Sequence, residues 1–104
     1  MHDLTVEISD KEKDFEVYIK GEIDLNNINQ IENILDEGIK QGKNIIIDMK
    51  DVRFIDSTGI GLLVKTYKAL KSEGKTIEIR NAVGNVRKVF KITCLEDVFN
   101  MGVE

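Results

Sequence analysis

The sequence has no proline and no tryptophan, and it contains a single cysteine and a single histidine. One cysteine, Cys94, cannot form a disulfide within the chain, and together with His2 it provides too few ligands for a zinc site. No metal and no cofactor are therefore expected. Cys94 lies between Ile92 and Leu95, which predicts a small core residue. Proline-rich linkers, internal repeats and low-complexity tracts are absent as well.

Long apolar stretches are also missing. No apolar run is longer than residues 45–47, whereas a membrane-spanning helix needs about 20 residues. Residues 1–10 have neither the positive charge nor the apolar run of a secretory signal. The 15 basic and 19 acidic residues give a net charge of −4, which disfavours direct binding to a nucleic acid backbone. We expect a cytoplasmic protein that binds neither membrane nor nucleic acid.

Hydrophobic residues make up 41% of the 104 positions, enough for one domain that spans residues 1–104. Alternating apolar residues at 4–8 and 15–19 predict two strands joined by a hairpin. A β-branched run at 44–49 predicts a central strand that is covered on both faces, and a turn that carries Asp51 follows it. Further strands are expected at 76–80 and, as a last edge strand, at Val98 and Phe99.

Three segments have the apolar spacing of amphipathic helices. The first covers about residues 26–41, the second about 57–72, and the third carries Val83, Val86, Val89 and Phe90 on one face. Two opening strands followed by alternating helices and strands predict an α/β fold with a mixed sheet.

The turn from the central strand into the second helix combines hydroxyl, carboxylate and glycine residues. Gly59 and Gly61 each cost about 0.5–1 kcal/mol in a helix relative to alanine, so something is expected to approach this turn closely. Asp56 or Ser57 can simply cap the helix. Alternatively, Ser57 is a phosphoacceptor, because a hydroxyl beside unpaired helix amides tolerates an added phosphate. The phosphate would add about −1.5 to −2 charges next to Asp56 and near Asp51, and such a change can abolish a close protein contact.

Glu22 and Asp24 follow the second predicted strand. Turn formation and helix entry are their ordinary roles. If the third strand runs parallel to the second, their loop lies at the same end of the sheet as the Ser57 turn. We therefore expect these carboxylates to form part of one contact surface with that turn.

Catalysis at the Ser57 turn has little support. A Gly-x-Gly pair without a following GxxxxGK[ST] pattern is weak evidence for a nucleotide site. Ser57 lacks the GxSxG context of a nucleophilic serine, and the only histidine, His2, stands at the chain terminus. No catalytic residue is assigned, and we expect a protein that is not an enzyme.

The run DSTGIG at residues 56–61 resembles the anti-sigma factor antagonists, the small single-domain members of the STAS family. Segments 21–25, 44–48 and 81–90 extend the resemblance over nearly the whole chain. The resemblance implies a mixed sheet of four to five strands with helices packed over it. Residues 26–29 are unusually rich in asparagine for this family, which suggests a partner specificity of its own.

The resemblance also implies a partner-switching cycle. The unphosphorylated protein would bind an anti-sigma factor that is also a serine kinase, and so free the sigma factor. Phosphorylation of Ser57 from ATP would reverse this, and a serine phosphatase would reset it. The protein itself would be a monomer or a weak dimer. The implied partner-binding residues are Glu22, Asp24, Asp56, Ser57, Thr58, Gly59 and Gly61.

Two other functions stay open at this point. The same fold could serve as a scaffold or sensor subunit of a larger regulatory assembly, in which phosphorylation is incidental. A small nucleotide-binding protein, based on Gly59 and Gly61 alone, is the weaker alternative. The sequence also leaves open whether Thr58 can replace Ser57 as the acceptor.

Overall fold

The computed structural model describes residues 4–102, and the histidine discussed above, His2, lies outside them. The predicted α/β class is confirmed, with four strands rather than five in the sheet. The elements in chain order are β1 (Leu4–Asp10), β2 (Asp14–Ile23), α1 (Ile28–Lys40), β3 (Asn44–Ile55), α2 (Ser57–Ser72), β4 (Ile77–Arg80) and α3 (Gly84–Ile92).

The sheet is mixed and its strands follow the order β1-β2-β3-β4. β1 and β2 form the predicted antiparallel hairpin, whereas β2, β3 and β4 run parallel. The connections β2-α1-β3 and β3-α2-β4 advance across the sheet in the same direction. Right-handed crossovers therefore place α1 and α2 on the same face.

Burial along β3 shows that only one face of this strand carries the main core. Ile45, Ile47 and Met49 are almost fully buried, whereas the alternating residues Ile46 and Asp48 are half-buried. The expectation that this strand is covered on both faces is therefore wrong. α1, α2 and α3 all contact β3, and the side chains that alternate with its buried residues stay half-buried or exposed.

β3 is longer than predicted and continues through Asp51 to Ile55. Its 12 residues face the 10 residues of β2, and two register shifts accommodate the difference. At each shift β3 has one residue more than β2, as in a β-bulge. The extra residue interrupts the alternation of side chains between the two faces of the sheet. Buried positions consequently change from a spacing of two to a spacing of three, at Met49, Val52 and Ile55. The predicted turn at Asp51 is wrong because these bulges interrupt the alternation that marks a strand.

The helices agree closely with the apolar spacing. α2 has the predicted bounds, whereas α1 begins two residues later than expected. Residues 24–27 form a turn instead, in which the Asn27 N–H donates to the Asp24 carbonyl at 3.1 Å. On α3, Val86 and Phe90 are buried, whereas Val83 precedes the helix and is exposed. None of the helices within residues 4–102 is long and apolar enough to cross a bilayer.

Val98 and Phe99 do not form the predicted edge strand. They lie in a turn that packs against β4, where the Phe99 carbonyl accepts a hydrogen bond from the Ile79 N–H at 2.9 Å. The Asn100 side chain adds a second bond by donating to the Ile77 carbonyl at 3.0 Å. Asn100 has a φ of 53°, which bends the chain out of an extended course. The turn thus covers the outer edge of β4 without pairing as a strand.

The same C-terminal segment is held by Arg87 of α3, which is only 6% exposed. Its guanidinium donates to the Glu96 carboxylate at 2.7 Å and to the carbonyls of Met101 and Gly102. A buried arginine keeps its charge, so these acceptors are needed to compensate its loss of water. Segment 95–102 is therefore an integral part of the fold.

Cys94 is exposed, so its assignment to the core is wrong. α3 ends at Ile92, and Cys94 has a φ of 60° where the chain reverses, which turns its side chain away from the apolar residues around it. Within residues 4–102, no group of three or more His, Cys, Asp or Glu side chains is arranged to hold a metal ion.

Candidate functional site

The Ser57 turn joins the end of β3 to the start of α2. Asp56 is the N-cap residue with an extended backbone, and its carboxylate accepts a hydrogen bond from the Gly59 N–H at 3.0 Å. This confirms the ordinary capping role for Asp56. Ser57 is the first residue of the helix and is exposed. Ser57 is therefore accessible at a helix end that another residue already caps.

The remaining amides of the first turn divide into two groups. The Asp56 N–H donates to the Ile23 carbonyl at 3.2 Å, and the Ile60 N–H donates to the Asp56 carbonyl at 3.1 Å. Among residues 4–102, the Ser57 and Thr58 N–H groups donate no hydrogen bond. Two unpaired amides at the positive end of a helix favour an anion there.

The two glycines of the turn have different environments. A Cβ atom on Gly59 would lie 2.7 Å from Cγ1 of Ile55 and 2.8 Å from Cγ2 of Ile23, so the close approach comes from the protein's own core. A Cβ atom on Gly61 would meet nothing within 4 Å, and this residue is exposed. The expected close approach therefore has an internal cause at Gly59, whereas no contact in the described part of the chain explains Gly61.

The loop of residues 22–27 lies beside the Ser57 turn, as predicted from the parallel pairing. Glu22 pairs in register with Phe54, and Ile23 pairs with Ile55. The hydrogen bond from the Asp56 N–H to the Ile23 carbonyl joins the two segments directly.

Asparagine side chains give this loop its shape. The Asn27 carboxamide accepts from the Asp24 N–H at 3.0 Å and donates to the Glu22 carbonyl at 2.6 Å. Asp24 in turn accepts from the Asn26 N–H at 2.9 Å and is only 9% exposed. Asp24 therefore orders the loop from within, while the partly exposed Glu22 is the more accessible carboxylate.

Two exposed hydrophobic side chains flank the site, and the apolar spacing in the sequence did not predict that either is exposed. Leu25 stands in the loop with 73% of its surface exposed, and Phe54 in β3 is 47% exposed. Leu25 lies before α1 and outside its apolar spacing. Phe54 lies between the buried residues Val52 and Ile55, whose spacing of three hides its exposure from a search for alternation. A large apolar residue in a tightly hydrogen-bonded loop is the signal that could have identified Leu25.

Asp51 is not close to Ser57, contrary to the expectation. It faces Lys20 of β2, three residues before the Ile23–Ile55 pair that precedes the turn, so about 10 Å of strand separates it from the end of β3. Its carboxylate accepts a hydrogen bond from the Tyr18 hydroxyl across the β2–β3 pair. This bond, followed by burial, raises the pKa of Tyr18 to about 12.

Alkaline titration tests this pair. Because the fold favours the protonated phenol, its stabilising effect is complete below pH 10.0 and is lost as the pH rises through about 12. In a Tyr67→Phe background, ultraviolet absorbance should show tyrosinate forming near pH 12, and Asp51→Asn should return the pKa towards 10.0. An unchanged titration in Asp51→Asn would contradict the assigned cause.

A STAS domain model matches residues 5–103 of the sequence. The chain thus belongs to the STAS family, the class of protein that the resemblance at residues 56–61 implies. It is 32% identical to the anti-sigma-B factor antagonist of Bacillus subtilis over 101 residues, which cover 97% of this chain and 93% of the relative. It is 31% identical to the anti-sigma-B factor antagonist of Staphylococcus aureus over 99 residues, covering 94% and 92%.

Solved structures agree with this assignment at the level of the fold. An anti-sigma factor antagonist from Mycobacterium paratuberculosis superposes with a TM-score of 0.86 at 22% identity, covering 98% of this chain and 87% of that one. The phosphorylated form of the Bacillus cell fate determinant SpoIIAA superposes with a TM-score of 0.75 at 23% identity, covering 96% and 93%. The predicted STAS-like sheet with helices over it is therefore confirmed.

Proposed function

We propose that this chain is a cytoplasmic anti-sigma factor antagonist whose binding is switched by phosphorylation of Ser57. The unmodified protein binds an anti-sigma factor that is also a serine kinase, and this releases the sigma factor. The observation that carries the proposal is the exposed Ser57 hydroxyl beside two unpaired helix amides. The names of the Bacillus and Staphylococcus relatives, which align over nearly the whole chain, support it.

The helix end can accommodate the phosphate while the partner cannot. The unpaired N–H groups of Ser57 and Thr58 offer hydrogen bonds to phosphate oxygens, so the modified turn stays folded. The phosphate adds about −1.5 to −2 charges to a turn that already carries Asp56. A partner in contact with this turn would have to bury that charge without a matching cation, which costs several kcal/mol.

Each implied residue has a distinct role in the proposed docking surface. Exposed Gly61 leaves the backbone of α2 open to a partner, whereas Gly59 lets α2 pack on the sheet so that the turn keeps its shape. Glu22 contributes charge at the rim, and Asp24 holds the loop beside it. The remaining members of the surface are Asp56, which caps α2, and Thr58, which contributes a free amide.

Phosphoryl transfer tests the switch. The protein is incubated with ATP, Mg²⁺ and the anti-sigma factor of the same organism, and intact-mass and peptide mass spectrometry follow the product. We expect one phosphate, on Ser57, and none on Ser57→Ala. Thr58→Ala is the matched control because it removes the neighbouring hydroxyl, and it should still accept one phosphate. Transfer to Thr58 in the wild-type protein would contradict the assignment of the acceptor.

A pull-down of each product with the anti-sigma factor then tests the consequence. The unmodified protein and Ser57→Ala should be retained, whereas phosphorylated protein and Ser57→Asp should be released. A serine phosphatase should restore retention of the phosphorylated form. Equal retention of both forms, together with stable self-assembly in sizing experiments, would favour the scaffold or sensor function instead.

A further inference from the structure

A groove lies between the end of β3 and α3, next to the Ser57 turn. β4 pairs only with residues 45–48 of β3, so the last part of β3 extends beyond its neighbour on that side. α3 runs beside this extension, and a groove of about 270 Å³ remains between them. We call it the α3 groove. It is lined by Arg53, Phe54, Ile55, Asn85, Val86 and Val89.

The α3 groove combines an apolar surface with one available cation. Phe54 is 47% exposed and Val89 is half-buried, so the groove has apolar surface that the fold does not cover. Arg53 is exposed, and none of the ion pairs among residues 4–102 uses it. An exposed aromatic residue beside an unpaired arginine is typical of protein interfaces, where both types are enriched.

The groove is close enough to the Ser57 turn to share one partner with it. Phe54 precedes Ser57 by three residues, which corresponds to about 10 Å at 3.3 Å per residue. A standard interface buries about 800 Å² on each partner and therefore spans both features easily. The turn is acidic at Asp56, whereas the groove is basic at Arg53. Opposite charges at the two ends of one surface would fix the orientation of a partner.

We propose that the α3 groove is the second half of the docking surface, and that it receives an apolar side chain of the anti-sigma factor next to a carboxylate that pairs with Arg53. This inference rests on the proposed function, since it concerns the same partner. The turn supplies the phosphate-sensitive contact, and the groove supplies apolar burial and an ion pair that phosphorylation leaves unchanged. Affinity thus depends on residues beyond those of the DSTGIG run.

Phe54→Thr tests the apolar contact in binding measurements with the unphosphorylated protein and the anti-sigma factor that phosphorylates it. Threonine suits an exposed strand position, so the fold should persist, as circular dichroism can verify. We expect the dissociation constant to rise about tenfold or more. Ile8→Thr is the matched control, because Ile8 is also an apolar strand residue, 50% exposed, and lies far from the turn on β1. It should leave the affinity unchanged.

Arg53→Glu tests the ion pair, and Lys13→Glu in the β1–β2 hairpin changes the net charge by the same amount. We expect the first to weaken binding about tenfold or more and the second to have little effect. If Ser57→Asp abolishes binding while Phe54→Thr and Arg53→Glu match their controls, the groove is not part of the interface and the proposed function stands. If the anti-sigma factor does not bind the wild-type protein, both proposals fail.

Discussion

Phe99→Ala should lower the free energy of unfolding by about 3–5 kcal/mol. The Phe99 ring is fully buried and meets Phe90 and Tyr67 edge to face, with ring centroids 5.7 Å and 6.3 Å away. Its removal leaves a cavity beneath β4 and weakens the turn whose carbonyl binds the Ile79 N–H. Because a domain of this size is stable by only about 5–15 kcal/mol, this is a large fraction of the total.

Urea denaturation followed by circular dichroism measures this change. Ile92→Ala is the control, since Ile92 is 71% exposed, and it should change the stability by less than about 0.5 kcal/mol. Phe99→Leu should fall between the two because it keeps part of the buried volume. A loss below about 1 kcal/mol for Phe99→Ala would contradict the conclusion that segment 95–102 is integral to the fold.

Gly59→Ala and Gly61→Ala should change stability in opposite directions. The added methyl group at Gly59 overlaps two β-branched side chains, Ile23 and Ile55, which cannot rotate away easily. We expect a loss of about 1–3 kcal/mol. At Gly61 the methyl group meets nothing, and replacing a helical glycine by alanine should raise stability by about 0.5–1 kcal/mol.

Binding measurements on the same two variants separate packing from docking. Gly61→Ala should weaken binding to the anti-sigma factor although it stabilises the fold, because the methyl group occupies the surface proposed for the partner. Thermal unfolding and affinity are therefore measured in parallel on each variant. Unchanged or tighter binding of Gly61→Ala would remove this residue from the docking surface.

Most of the regular part of the fold follows from apolar spacing. The hairpin and the three helices have periodic apolar residues, and the bounds of α2 agree to the residue. The proximity of the Glu22 loop and the Ser57 turn also follows, because parallel strands place their carboxyl ends at the same edge of a sheet.

Irregular backbone accounts for the parts that the sequence did not predict. Bulges carry β3 through Asp51, and a positive φ at Cys94 turns an apparently apolar residue outwards. The turn at Phe99 buries an aromatic ring without forming a strand. In each case the side-chain pattern is locally compatible with a regular element, and the decisive backbone angles depend on contacts with distant residues.

The sequence predicted that the Glu22 loop and the Ser57 turn lie together, but not the contacts that each of their residues makes. The sequence identified both glycines, yet only the packing of Ile23 and Ile55 separates structural Gly59 from exposed Gly61. Exposed Phe54 could not be distinguished from a core residue of β3 without the fold. Asn27 likewise gains its role only from hydrogen bonds within the loop.

The most direct test of the phosphorylation switch is calorimetric titration of the anti-sigma factor with purified unmodified protein and with protein fully phosphorylated on Ser57. We predict that the unmodified form binds and that the phosphate weakens binding by about 100-fold or more, the equivalent of burying an unpaired charge at a close contact. Equal affinities for the two forms would contradict the switch, even if Ser57 is the residue that the kinase modifies.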